Sequence, residues 1–361
     1  MTETVVQASA GQGGLVVSSG VFGELCLPVG SFDPACADEI RNLAALAAVY
    51  ATQARGQGTL RAYRSAWRLY ETWCGRLGFA PLNGDPRVVG MYLTSAAERL
   101  AVSTIQVHLA AVVTAHRLVG LSLDPGHPSI ALLLDGIRRR KGVRPARQAT
   151  PLTVDLLRRM VHAQPASILG VRNKAMLLAG FGGALRRSEI VALDVGDVAF
   201  VEGRGVVLTV RRSKTDQVGQ GAAIAIWDSP DRDLCAPTAL RDWLAALDPT
   251  GAVAPLFVGL RASGEMTGRR LSDKAVARLV RDTAEGVGAS PDGCWSGHSL
   301  RAGLATAAGE AEAQLHDVMR QTRHKSVEVA RRYMRSADIW RNNVTEKILR
   351  RPTVAATSGP G

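Results

Sequence analysis

The sequence predicts two domains, an all-α helical bundle at the N-terminal end and a mainly helical α+β unit with a small antiparallel sheet at the C-terminal end. Three observations support this fold class. The chain of 361 residues is longer than one ordinary hydrophobic core accommodates. Apolar residues recur every three or four positions up to residue 141, without a strand-like pattern. The runs rich in β-branched residues lie within residues 198–227.

The N-terminal region divides into a leader and a helical domain. Residues 1–36 are rich in small residues without a sustained period, which predicts a flexible leader. A helical pattern occupies residues 37–141. Its clearest helix follows Thr59, which we expect to cap it. The apolar stripe of this helix contains Leu60, Tyr63, Trp67, Tyr70 and Trp73, and basic residues project around it.

Basic residues concentrate at the end of the helical domain. Residues 138–141 are all cationic, and residues 142–151 contain two prolines and two arginines, which predicts an exposed basic linker. Any one of these cations is equally compatible with plain solvation, but the six within residues 138–147 are more informative as a cluster. Such a segment could cross a DNA backbone. The candidates for backbone contacts are Arg61, Arg64, Arg68, Arg138, Arg139, Arg140, Lys141, Arg144 and Arg147.

The second predicted domain covers residues 152–351, and a flexible polar tail follows at residues 352–361. Three β-rich runs predict the antiparallel sheet, with Lys214 at the tip of the connection before the third run. Helical patterns surround these runs. They cover residues 153–162, 168–180, 236–246, 273–284, 299–308, 313–320, 327–335 and 339–349.

The composition narrows the class of partner. The formal net charge of +12 favours a polyanion, and nucleic acid is the leading candidate over an anionic membrane surface. No apolar run is long enough to span a membrane. The five cysteines are scattered, and no His, Cys or carboxylate cluster has metal-ligand spacing, so we expect neither a metal nor a cofactor. The N-terminus lacks the basic start of a secretory signal, which predicts a cytoplasmic protein.

One stretch, residues 297–333, concentrates the residue types that act on phosphates. His298 and Arg301 are three residues apart, so on a helix they share one face. His324 precedes Tyr333 by nine residues. A tyrosine next to arginines suits a nucleophile better than a core position. Each of these signals is weak alone, because most His-x-x-Arg pairs on helices are ordinary surface or capping residues.

Four motifs together resemble the phage-integrase family of tyrosine recombinases. GALRRSEIVAL resembles the family's first-arginine motif, and SKTDQ its β-hairpin lysine. GHSLRAGLAT resembles its His-x-x-Arg motif, and RHKSVEVARRYMR its histidine followed by the nucleophile. The resemblance covers residues 37–349, and four motifs in the family's order are a specific signal. One departure is Thr322-Arg323, where many members have Leu-Gly; a side chain there could alter the turn or add a phosphate contact.

The resemblance implies a catalytic role for six residues, supported by Glu189. They are Arg186, Lys214, His298, Arg301, His324 and Tyr333. In such a site two arginines bind the non-bridging phosphate oxygens, and the tyrosine attacks to give a 3′-phosphotyrosyl enzyme. The lysine protonates the leaving 5′-hydroxyl, one histidine assists proton transfer at the nucleophile, and the other hydrogen-bonds a phosphate oxygen. A second 5′-hydroxyl reverses the step without metal or ATP.

The resemblance also implies the partners. A SAM-like core-binding bundle and the catalytic domain would form a C-shaped clamp around double-stranded DNA. Four copies would assemble on two duplexes, with the helix at residues 339–349 packing on a neighbouring protomer. Two alternatives remain open at this point. One is a type IB topoisomerase or telomere resolvase with the same chemistry, and the other is a catalytically inactive DNA-binding protein.

Overall fold

The computed structural model describes residues 56–142, 148–211, 221–247, 251, 253–324, 326–338 and 344–349, together with Glu39 and Leu43. These residues fall into two compact units, which divide the chain between residues 146 and 147. The leader, the tail and nearly all of residues 37–55 lie outside the described residues. The exact domain bounds stay predictions.

The N-terminal unit is helical, as the apolar periodicity predicts. Its helices are α1 (Gln57–Leu77), α2 (Pro86–Ala97), α3 (Val102–Leu118) and α4 (Pro128–Lys141). Helix α1 packs on α3, and α2 packs on α4. Aromatic rings of the predicted stripe pack against Tyr92 of α2, with the Tyr70 and Tyr92 ring centroids 4.9 Å apart. No strand occurs between residues 56 and 142.

Two details of this unit differ from the prediction. Gly56, and not Thr59, is the N-cap of α1, because the helical conformation already begins at Gln57 and includes Thr59 in its first turn. The cationic residues 138–141 lie on α4 itself. The Lys141 ammonium donates to the Leu100 carbonyl at 2.8 Å and also to that of Ala97, so this candidate DNA contact has a partner within the unit.

The C-terminal unit combines helices with two small antiparallel sheets. The helices are α5 (Val154–His162), α6 (Ile168–Gly182), α7 (Arg187–Ala192), α8 (Ala236–Leu247), α9 (Asp273–Gly286), α10 (Gly297–Glu310), α11 (Leu315–Thr322), α12 (Val327–Asp338) and α13 (Val344–Leu349). The strands are β1 (Val198–Val201), β2 (Gly205–Val210), β3 (Ala222–Trp227), β4 (Val258–Leu260) and β5 (Met266–Arg270). Helix α6 packs against α8 and α10.

The predicted sheet is confirmed, and a second sheet was not predicted. Strands β1, β2 and β3 form a three-stranded antiparallel sheet in that order. Strands β4 and β5 pair separately; β4 has three residues and β5 ends in two arginines, so neither gives a clear strand signal. Arg270 of β5 donates to the carbonyls of Val191 and Leu193 at 2.7 and 2.9 Å, and thereby fixes the end of α7.

The predicted linker, residues 142–151, stays a prediction. Residues 143–147 lie outside the described residues. The last linker residues belong to the C-terminal unit, since the Thr150 amide donates to the Cys294 carbonyl at 3.1 Å and the Cys294 amide donates to Thr150 Oγ1 at 2.9 Å. Within the part of the chain that the structure describes, no helix has the length and apolarity to cross a membrane.

Candidate active site

The first turn of α10 positions His298 and Arg301. Ser296 caps this helix, because its hydroxyl accepts from the His298 amide at 3.3 Å while its own amide donates to Ser299 Oγ at 3.1 Å. His298 faces the surface, whereas the side chain of Arg301 points into the protein, where the residue is 1% exposed. The helix therefore carries one accessible imidazole and one buried guanidinium.

Gly303 allows the chain to cross α10 closely. A Cβ atom at this position would lie 2.2 Å from the Leu152 carbonyl oxygen, which is far inside van der Waals contact. The Leu152 amide donates to the Ser299 carbonyl at 3.1 Å, so the crossing is fixed by a hydrogen bond. Gly303, the second glycine of the GHSLRAG segment, thus has a packing role and holds the beginning of the C-terminal unit against α10.

The guanidinium of Arg301 is only partly hydrogen-bonded among the described residues. Its Nη1 donates to the Ala184 carbonyl at 2.8 Å, while its Nε and Nη2 are buried and have no hydrogen-bond partner among the described residues. Burial lowers the pKa of the Arg301 guanidinium to about 9, and the nearby charges of Arg186 and Arg323 add to this effect. A buried cation with unpaired N–H groups is suited to receive an anion.

Arg186 is held by a buried carboxylate. Glu189 is 2% exposed, and its Oε1 accepts from Arg186 Nη1 at 2.6 Å. Its Oε2 accepts from the Arg186 amide at 2.9 Å, which closes the N-terminus of α7. The three-residue spacing of the two side chains makes both contacts possible on a single helical turn.

Arg323 joins the same cluster from a distant part of the sequence. Its Nη2 donates to Glu189 Oε2 at 2.8 Å and to the Ala184 carbonyl at 3.2 Å. The motif resemblance marks this position as a departure but does not predict the contact with Glu189. The available signal was a large cationic side chain on a turn where glycine is common.

Tyr333 lies between two histidines. His298 Nε2 and the Tyr333 hydroxyl are 2.9 Å apart, which is hydrogen-bonding distance. The His324 ring stacks on the Tyr333 ring, with centroids 5.7 Å apart and planes inclined by 7°. Thr306 Oγ1 donates to the Tyr333 carbonyl at 3.4 Å and so connects α10 to α12. The sequence-predicted histidines and tyrosine are therefore brought together.

Thr322 determines which nitrogen of His324 carries the proton. The Thr322 hydroxyl is 2.6 Å from the Val318 carbonyl, which can only accept, so the hydroxyl proton is used there. His324 Nδ1, 2.9 Å from the same hydroxyl, must then be the donor. Burial lowers the pKa of His324 to about 4, helped by the charges of Arg301, Arg186, His298 and Arg323. The imidazole is neutral near pH 7, with its proton on Nδ1.

The remaining predicted residues are not all described. Lys214, Arg144 and Arg147 lie outside the described residues. Six DNA-contact candidates besides Lys141 are described. Arg61, Arg64, Arg68, Arg139 and Arg140 are exposed, and Arg138 is half-buried and pairs with Asp135 at 2.7 Å. In the described part of the chain, no group of three or more His, Cys, Asp or Glu residues could hold a metal ion.

The fold and the arginine, histidine and tyrosine cluster define a class of protein. Residues 151–339 match the model of the phage integrase family, which is more than half of the chain. A curated relative is 30% identical over 82% of this chain. The chain therefore belongs to the phage integrase family of tyrosine recombinases, which are DNA strand-transferring enzymes.

One curated relative and two solved structures illustrate these similarities, the structures for the fold alone. The 30% identical relative is an integrase/recombinase XerD homologue of Selenomonas ruminantium, and the match covers 86% of its length. The XerH site-specific recombinase bound to a palindromic difH substrate has a similar fold, with a TM-score of 0.60 at 16% identity over 87% of each chain. A lambda integrase tetramer bound to a Holliday junction gives a TM-score of 0.51 at 18% identity, over 84% of this chain and 81% of that one.

Proposed function

We propose that this chain is a site-specific DNA recombinase that cuts and rejoins DNA strands through a covalent 3′-phosphotyrosyl intermediate at Tyr333. The observation that carries the proposal is the Tyr333 hydroxyl, hydrogen-bonded to His298 beside a cluster of arginines in which Arg301 has unpaired buried donors. Donors and positive charge meet there with a nucleophile and a base, which is what displacement at a phosphodiester requires.

In this proposal, the scissile phosphate binds to Arg186 and Arg301. Planar guanidiniums match the geometry of two non-bridging oxygens, and their charge stabilises the phosphorane that develops during the reaction. The buried carboxylate of Glu189 keeps Arg186 in one orientation. Because Arg301 is almost fully buried, its attraction to a phosphate is weakly screened by solvent.

The first chemical step is attack by the Tyr333 oxygen on phosphorus. The O–P bond to tyrosine forms, the bond from phosphorus to the 5′-oxygen breaks, and the phenolic proton passes to His298 Nε2. Lys214 gives a proton to the departing 5′-oxygen. One phosphodiester is exchanged for one phosphotyrosyl ester, so the bond's free energy is retained and no ATP is consumed. Attack by a 5′-hydroxyl of another strand then reverses the step.

His324 has a more specific role than general support. Its neutral form carries the proton on Nδ1, which is bonded to Thr322. For Nε2 to donate to a phosphate oxygen, His324 must take up a second proton. A bound phosphate favours that uptake, since its negative charge raises the pKa of a neighbouring imidazole. We therefore assign His324 a phosphate contact made in the protonated form.

The partner is double-stranded DNA, which the two units clamp, and four copies act on two duplexes. The basic residues of α1 and α4 support the contact with the backbone. Packing of the 339–349 helix on a neighbouring copy is supported by its exposed apolar side chains: Val344 and Ile348 of α13 are 65% and 62% exposed. Ile339 and Trp340 lie outside the described residues.

A nicked suicide substrate tests the chemistry, because loss of the short 5′-hydroxyl fragment after cleavage prevents rejoining. We expect wild type to form a covalent DNA adduct that survives denaturing electrophoresis. Tyr333→Phe should bind the same duplex within about twofold and form no adduct, since only the nucleophilic oxygen is removed. Tyr63→Phe, in the N-terminal unit, is the matched control and should keep the adduct.

Other outcomes would reassign the function. Absence of an adduct with wild type, as with Tyr333→Phe, would indicate an inactive DNA-binding protein. Adduct formation together with relaxation of supercoiled DNA by a monomer, without pairing of two duplexes, would indicate a topoisomerase. Recombination between two cognate sites is the result that the proposal requires.

A further inference from the structure

Arg323 lies at a backbone position that does not itself favour an arginine. It follows α11 with φ 55° and ψ 41°, in the left-handed region that glycine adopts without strain. Arg323 is the C-cap of α11, at which a backbone amide donates to the Met319 carbonyl. The backbone therefore gives no reason for a long cationic side chain here, and the reason must lie in what the side chain contacts.

The contacts of Arg323 connect the two predicted phosphate-binding arginines. Its Nη2 shares Glu189 Oε2 with the backbone amide of Arg186, while Glu189 Oε1 holds the Arg186 guanidinium. It also shares the Ala184 carbonyl with Arg301, whose Nη1 lies 2.8 Å from that oxygen. Arg323 is thus the one described side chain that hydrogen-bonds both to the carboxylate holding Arg186 and to the carbonyl holding Arg301.

The charge balance of the cluster depends on Arg323. Without it, the carboxylate of Glu189 would offset one of the two guanidiniums of Arg186 and Arg301. With it, the cluster holds three guanidiniums and one carboxylate, which leaves two net positive charges. Tyr333 is near enough to Arg301 to affect the pKa of its guanidinium. Burial lowers the pKa of Arg323, as it does for Arg301, and the Nε and Nη1 atoms of Arg323 are buried with no partner among the described residues.

We propose that Arg323 is a positioning residue for phosphoryl transfer, which occupies the second oxygen of Glu189 so that this carboxylate orients Arg186 without cancelling the positive charge of the site. The inference rests on the proposed recombinase chemistry. Arg323 acts through Glu189 and Ala184 on the arginines that bind the phosphate, and its effect is largest when the scissile phosphate carries its full negative charge.

The test compares two suicide substrates in single-turnover cleavage. One has the natural scissile phosphate, and the other has a methylphosphonate, in which a methyl group replaces a non-bridging oxygen and removes the charge. Arg323→Gly relieves the left-handed backbone and should keep the melting temperature of wild type. We expect it to slow adduct formation on the natural phosphate by roughly 100-fold, the scale of a small misplacement in an active site. On the methylphosphonate the slowing should be much smaller.

Two further variants complete the design. Arg320→Gln removes an exposed arginine of α11, which pairs with Asp317, and should leave both cleavage rates and their ratio unchanged. Arg323→Lys keeps the charge but cannot bond two acceptors in a plane, so it should recover part of the rate on the natural phosphate. If Arg323→Gly does not fold, Arg323→Lys is compared with wild type on the two substrates. Slower cleavage of the natural phosphate than of the methylphosphonate, each relative to wild type, supports the role of Arg323, and equal slowing or none overturns it.

The outcomes separate this inference from the proposed function. If wild type forms no adduct, the recombinase proposal fails and this inference falls with it. If wild type forms the adduct and Arg323→Gly does so at the same rate, only the role of Arg323 is overturned. Equal slowing on both substrates also overturns it, because a loosened structure, unlike an altered charge, affects the charged and the neutral linkage alike.

Discussion

The single residue Glu189 holds two arginines of the candidate site. It is a carboxylate with a 1% exposed side chain, placed between the guanidiniums of Arg186 and Arg323. A buried ion pair contributes little net stability compared with apolar residues, but removal of one partner leaves uncompensated buried charge. A substitution of Glu189 is therefore expected to alter the stability of the protein as well as the proposed chemistry.

We expect Glu189→Gln to lower the free energy of unfolding by roughly 3–5 kcal/mol, because two partly buried cations lose their buried counter-charge while the side-chain shape is kept. Urea unfolding followed by tryptophan fluorescence measures this loss. Glu265→Gln is the matched control: its pair with Arg261 is 62% exposed on both sides, and we expect a change of less than about 1 kcal/mol. Equal losses in the two variants would show that burial of the Glu189 pair has no special cost.

At this scale, sequence motifs identified residues but not all of their contacts. Arg186, Glu189, His298, Arg301, His324 and Tyr333 stand in motifs, and the structure brings them together. The bond from Arg323 to Glu189 spans 134 residues and depends on a left-handed turn. The proton position on His324 depends on the Val318 carbonyl. Neither contact follows from residue types and spacing alone.

Helix α10 is the element that joins the two halves of the site. It carries His298 and Arg301, receives the crossing chain at Leu152, and packs against α12, which carries Tyr333. A displacement of α10 would therefore move His298, the partner of Tyr333, and Arg301 together. The close crossing at Gly303 is where this arrangement tolerates least change.

We expect Gly303→Ala to destabilise the C-terminal unit by about 1–3 kcal/mol, since the added methyl group would meet the Leu152 carbonyl and force the backbone to move. Thermal unfolding and the adduct assay should both report the change. Gly286→Ala in α9 is the control. No atom lies within 4 Å of its added methyl group, so the gain in helix propensity should stabilise it by up to about 1 kcal/mol. A neutral Gly303→Ala would contradict the close crossing.

Prediction of elements from sequence succeeds where periodicity is strong. The three runs of β1, β2 and β3 are rich in valine, isoleucine and alanine and pair as expected. Strands β4 and β5 are not predicted from the sequence, because they form by pairing with each other and their composition gives no strand signal. Their omission matters, because Arg270 of β5 holds the end of the helix that begins beside Arg186.

At the scale of the whole molecule, charge is the property that sequence predicts most directly. The net charge of +12 already favours a nucleic acid partner. The net charge does not identify the cations that would contact DNA. Lys141 donates to the Leu100 carbonyl and Arg138 pairs with Asp135, whereas Arg139 and Arg140 are exposed. The relative placement of the two units and the packing of copies depend on surfaces that a single-chain pattern does not specify.

We expect the double variant Arg139→Gln/Arg140→Gln to weaken DNA binding for all sequences and to reduce the slope of log affinity against log salt concentration by about 2, one for each lost phosphate contact. Fluorescence anisotropy over a salt series measures both effects. The control is Arg261→Gln/Arg281→Gln, which removes the same charge from two exposed arginines that pair with acids. If both double variants change the slope of log affinity against log salt concentration equally, the effect comes from net charge and not from phosphate contacts of Arg139 and Arg140.

In the proposed reaction, the contact between His298 and Tyr333 also determines the kinetic order of cleavage. Both residues belong to one chain, and Thr306 fastens the backbone of Tyr333 to the helix that carries His298. Tethering of this kind gives reacting groups a high effective molarity. Tyr333, the proposed nucleophile, and His298, its proposed proton acceptor, therefore meet within one folded unit. In the proposed reaction, the attack of Tyr333 is a unimolecular event once a subunit holds its DNA. The dependence of recombination on protein concentration would then come from assembly and not from the breaking of the strand.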